Sequence, residues 1–184
     1  MIEDDFFAII DPQLRGVGAH PDPGEEYRDP PLDILRYYYR PVRLHWLPWL
    51  GRALSVVAVV RQPLDIGLSA EGYRKFLTRL AMAVNGRFPP WQRSGPCGLV
   101  IGLTMVALTP EPIGPEDDGL LGQVLLAGRG RTRAVPFGII RVNLGQEAIS
   151  FALASNADQL FTEPVLLADA LSERFRRFVP LMEM

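Results

Sequence analysis

Five carboxylates are placed where they could act together. Asp65 follows one apolar run, and Glu111, Glu116, Asp117 and Asp118 follow another. If the two runs are parallel strands, their C-terminal ends share one edge, which is where open α/β sheets place ligands. Carboxylates there could hold Mg²⁺ for phosphoryl chemistry, with Asp65, Glu111, Asp117 and Asp118 as the ligands. The competing reading is structural. Pro115-Glu116-Asp117-Asp118 is an ordinary helix beginning, and acids are ordinarily exposed.

The remaining reactive residue types are sparse. Arg129, Arg131 and Arg133 lie in a glycine-interleaved loop that could grip nucleic-acid phosphates, but the chain carries a net charge of −2, which supplies no general attraction for a polyanion. Cys97 has no neighbouring histidine or cation in sequence to make a reactive thiolate, so it reads as a small buried side chain. His20 and His45 have no partner at metal-ligand spacing, and His45 between Leu44 and Trp46 reads as a packed or rim residue. No Gly-Lys-Ser/Thr phosphate loop, no G-x-G-x-x-G and no G-x-S-x-G is present. The single lysine, Lys75, falls on a helix face.

The elements that must position these groups centre on residues 52–108. Leu54 to Val60 is a continuous aliphatic run that suits a strand covered on both faces. Leu99 to Leu108 is another. Between them Ser69 offers an N-cap, and Tyr73, Phe76, Leu77, Leu80 and Val84 form an apolar helical stripe. Asn85-Gly86 and Pro89-Pro90 predict its end. A short helix is expected from Pro115 through Leu125. Ala134 to Leu144 and Ala148 to Ala154 are expected to form a hairpin across Asn143-Leu144-Gly145-Gln146. A last helix is expected from Thr162 to Pro180, with Leu167, Leu171, Phe175 and Phe178 on one face.

Residues 1–50 read differently. Asp11-Pro12, Pro21-Asp22-Pro23-Gly24 and Asp29-Pro30-Pro31 interrupt the backbone, so long elements are not expected there. Residues 29–40 suit either a short helix or an extended segment. Phe6, Phe7, Tyr27, Tyr37, Tyr38, Tyr39, Trp46 and Trp49 are too many large rings for a disordered tail. The arm packs either on its own domain or on a partner chain, for which Tyr37, Tyr38, Tyr39, Trp46 and Trp49 are the candidate anchors.

These readings give a single α+β or α/β domain over residues 51–184. It is a mixed sheet of about four strands in the order strand, helix, strand, short helix, strand, strand, helix, with two main helices. The irregular arm of residues 1–50 precedes it. Apolar residues at 48% and charged residues at 22% are ordinary for a globular chain. The acidic Met1 to Asp5 start does not resemble a secretory signal, and no apolar run is long enough to span a bilayer, so a cytoplasmic protein is expected. The arginine-rich, lysine-poor usage resembles GC-rich bacterial coding. The expected function is a non-catalytic binding or assembly subunit of a bacterial complex, contacting a protein partner or a second copy, with no cofactor. The alternatives are a Mg²⁺-dependent phosphoryl enzyme at the Asp65 and Asp117 edge, and a nucleic-acid accessory protein using the arginine loop.

Overall fold

The computed structural model describes residues 1–28, 31–43, 52–63, 69–88, 100–127, 134–155 and 161–177. Their order is α1 (Glu3–Gly16), β1 (His20–Arg28), β2 (Pro31–Arg43), β3 (Arg52–Arg61), α2 (Ala70–Arg87), β4 (Ile101–Leu108), α3 (Asp117–Ala127), β5 (Ala134–Asn143), β6 (Ala148–Leu153), α4 (Glu163–Ser172) and β7 (Arg176–Arg177). All seven strands form one sheet in sequence order. β1, β2 and β3 are antiparallel neighbours, β3, β4 and β5 are parallel, β5 and β6 form the expected hairpin, and β7 runs parallel to β6.

The mixed α/β class agrees with the sequence reading, but four strands and two helices understate it. The additions lie mostly in the segment expected to be an irregular arm. α1 continues through Pro12. Its buried Phe6, Ile10 and Leu14 lie on one face at i, i+4 and i+8, and that burial outweighs the one backbone bond that proline removes. The helix ends at Gly16, and Gly18, just past its C-cap, has a φ of 82° that suits glycine. Residues 31–43 are extended, which settles the helix-or-strand ambiguity: β2 pairs with β3 along its length, from Asp33 opposite Arg61 to Arg43 opposite Arg52. β1 carries Pro21 and Pro23 and is an edge strand, where missing donors are tolerated.

Helices cover both faces. On one, Tyr73, Phe76 and Leu80 of α2 and Leu121 and Val124 of α3 pack on Tyr37, Val56, Ala58, Val60, Met105 and Ile139. On the other, Phe6, Ile10 and Leu14 of α1 and Leu167 and Leu171 of α4 pack on Tyr38, Val57, Val59, Val106, Ile140 and Val142. Strand alternation thus sends Tyr37 and Tyr38 into opposite cores. Ser69 caps α2 as expected, its Oγ accepting from the Gly72 amide at 3.0 Å. α2 passes Asn85-Gly86 and stops at Arg87. α4 ends earlier than expected, at Ser172, and Arg176–Arg177 turns to pair with β6.

Candidate functional site

The parallel pairing of β3, β4 and β5 does bring their C-terminal ends to one edge. Gln62 follows β3, Thr109 follows β4 and Asn143 ends β5. The ends are stitched together by Gln62 N–H to the Leu108 carbonyl at 2.8 Å and Thr109 N–H to the Val142 carbonyl at 2.9 Å. Because α2 and α3 lie on the same face, the strand order does not reverse between them, and no crevice opens by reversal.

Arg141 occupies the centre of this edge. It sits in β5 between Ile140 and Val142 and is 0% exposed. Its side chain projects on the α2 and α3 face, where a lone charge is costly unless paired. Its Nη1 donates to Asp117 Oδ2 at 2.6 Å. Its Nη2 lies 3.8 Å from Glu111 Oε2, and its guanidinium carbon lies 5.5 Å from the centre of the Tyr73 ring. Neither Nε nor Nη2 has a hydrogen-bond partner. Asp117, the first residue of α3, also accepts from the Gly114 amide at 3.0 Å. Glu111 accepts from Gln62 Nε2 at 2.9 Å, and Tyr73 donates its hydroxyl to Gln62 Oε1. Burial pushes the Tyr73 phenol above its ordinary range, and the charge on Arg141 opposes that shift. Asn143 holds the strap above: its Nδ2 donates to the Pro110 and Glu111 carbonyls at 3.2 and 2.8 Å.

The four candidate metal ligands do not converge. Asp65 lies outside the described residues. Glu111 and Asp117 flank Arg141, while Asp118 turns toward β6, where Ser150 is the cross-strand neighbour of Arg141. There it accepts from Ser150 Oγ at 2.6 Å, from the Phe151 amide at 3.0 Å, and from Arg177 Nη2 at 2.9 Å. Arg177 also stacks 4.1 Å over the Phe151 ring. Asp118 therefore closes the outer edge of β6. Among the described residues, no three His, Cys, Asp or Glu side chains are placed to share a metal ion.

The candidate partner anchors divide as well. Tyr37 and Tyr38 are fully buried. Tyr37 donates to Glu25 Oε1 at 3.1 Å, and Tyr38 donates to Asp11, which Arg36 also grips at 2.9 Å. Burial raises both phenols above their ordinary range. Tyr39 is half-buried, between Phe88 and His20. Trp46, Trp49, His45, Cys97, Arg129, Arg131 and Arg133 lie outside the described residues.

Sequence reasoning missed Arg141. The signal was available: a charge inside Ile139-Ile140-Arg141-Val142 must find a partner if that strand is buried. It also missed a second buried pair on the opposite face. Arg40 Nε donates to Glu163 Oε1 at 2.7 Å, and Arg40 Nη2 to Thr162 Oγ1 at 3.3 Å. No protein-family model matches the chain, and neither the curated proteins nor the solved structures contain a match.

Proposed function

We propose that this chain is a non-catalytic binding or assembly subunit that recognises another macromolecule. The observation supporting this reading is how its candidate carboxylates are engaged. Asp117 is spent on Arg141, Asp118 on Ser150, Phe151 and Arg177, and Glu111 on Gln62. A carboxylate that coordinates a metal or moves a proton needs a free lone pair facing a cleft. These instead bind strands, strap and helix to one another.

The surface best suited to contact is the solvent face of α2. Glu71, Arg74, Lys75, Thr78 and Arg79 line an open concavity of about 460 Å³ there. Met82 lies exposed along the same stripe. Arginine and methionine are favoured at interfaces. The aromatic arm contributes less than its composition suggests, since Tyr37 and Tyr38 are interior.

The test is the native mass of the full chain recovered from its host, paired with melting in millimolar Mg²⁺ or Mn²⁺. A mass above the 20.5 kDa of one chain is expected, lost in an Arg74→Glu/Lys75→Glu double variant, with Tm indifferent to metal. A monomer whose Tm climbs with Mg²⁺ overturns the reading in favour of metal-dependent phosphoryl chemistry.

A further inference from the structure

The unpaired atoms of Arg141 have a specific geometry. A guanidinium presents its donors in edges, and Nε with Nη2 forms the edge that fits two oxygens of one carboxylate or phosphate. Asp117 takes Nη1 and leaves that edge intact. Both nitrogens of the edge lack a partner although the residue is fully buried. Leaving several charged donors unmet in an interior costs far more than leaving them in water. Such a cost is ordinarily tolerated where something else is to be bound.

The surroundings indicate what that is. The carboxylate nearest that edge among the ion pairs is Glu111, whose Oε2 lies 3.8 Å from Nη2, too far for a hydrogen bond. Glu111 is 34% exposed, and the bond from Gln62 Nε2 holds its carboxylate in place. Asn143 holds the backbone of this strap by its bonds to the Pro110 and Glu111 carbonyls, so the movement in question is a rotation of the Glu111 side chain. It would uncover the Nε and Nη2 edge from the side of the strand ends. The Tyr73 ring forms the floor, and Gln62 is a second polar group within reach.

We infer that Arg141 is the anchor of a small-oxyanion site, taking a carboxylate or phosphate side-on through Nε and Nη2, and that Glu111 is the chain's own gate over it. With Glu111 in place, Arg141 already faces two carboxylates, so an incoming anion meets repulsion. Removing the Glu111 charge opens the site. The inference stands apart from the assembly reading, because it needs no partner and uses a different face.

Glu111→Gln tests this directly, since it keeps an oxygen for Gln62 and discards the charge. Inorganic phosphate and acetate are titrated calorimetrically into the wild-type chain and this variant, at constant ionic strength made up with chloride. Glu111→Gln should bind at least one of the two roughly tenfold more tightly than wild type. Adding Arg141→Lys, which keeps the positive charge but not the two-nitrogen edge, should abolish that gain. The ¹H–¹⁵N resonance of Arg141 Nε in Glu111→Gln gives a readout that does not depend on the lysine variant folding, and it should move with the anion. Stronger binding of phosphate than acetate assigns the site to phosphate esters, and the reverse to carboxylates. No binding of either anion by Glu111→Gln, or binding that leaves the Arg141 Nε resonance unmoved, overturns the inference.

Discussion

Each face of the sheet holds an arginine–carboxylate pair with a fully buried member, and the two pairs leave opposite kinds of atom unmet. Under α2 and α3 both members are enclosed, Arg141 at 0% and Asp117 at 3% exposure, and the unmet atoms are donors. Under α1 and α4 it is Glu163 that is enclosed, at 1% exposure, while its partner Arg40 keeps 25%. There the unmet atom is an acceptor, Glu163 Oε2. The contrast matters because the two ions differ in their means of escape. A stranded carboxylate can take up a proton and become neutral, whereas a stranded guanidinium stays charged at any pH a protein meets. The faces also differ in spacing. Large side chains fill the α2 side, but Gly102 lets Phe161 lie against β4, and a Cβ there would strike that ring. Gly138 likewise sits within 3.1 Å of Pro164 Cβ, measured from where its own Cβ would be.

Breaking the first pair should have the largest effect. Asp117→Ala leaves Arg141 buried and charged, and is expected to cost about 3–5 kcal/mol in denaturant unfolding. Arg40→Met should cost less, about 2–3 kcal/mol at neutral pH, because its site is partly open to water. An equal cost in the two variants would erase the distinction drawn here. Gly102→Ala should cost about 1–2 kcal/mol by pushing Phe161 and α4 outward. Its mirror on the other face, Ala58→Gly, removes a filled position and should loosen the core rather than strain it.

Alkaline titration probes both faces at once. Tyr37 and Tyr73 lie on one and Tyr38 on the other, all with phenols raised by burial. Their folded values exceed the unfolded one, so stability is fully present below about pH 10 and is lost as pH rises beyond it. Phenolate absorbance should therefore appear together with unfolding, and free titration of these rings in the native state would contradict their enclosure. The smallest effect belongs to the solvent side of α2. Lys75→Ala removes a pair with Glu71 in which both side chains are about two-thirds exposed, and stability should stay within error of wild type.

What could be read in the sequence follows the reach of each signal. β3, β4, α2 with its Ser69 cap, and the β5–β6 hairpin all rest on patterns within a few residues. The edge strand β1 escaped notice, and β2 stayed undecided between helix and extended chain, because prolines read as interruptions, and only the finished sheet reveals that an outer strand can spare those donors. The candidate carboxylates were found, but their roles were not. Asp117 meets an arginine 24 residues away, and Asp118 meets Ser150 at a separation of 32. No local spacing announces a contact that the topology creates.

The guarded rims of the sheet have a further consequence. On one side Pro21 and Pro23 interrupt the row of donors in β1, and on the other Asp118 and the two-residue β7 occupy β6. Fibril-like stacking therefore finds poor templates at those positions, and an extended foreign peptide has little ladder to join. Higher-order growth of this molecule should proceed through its rods.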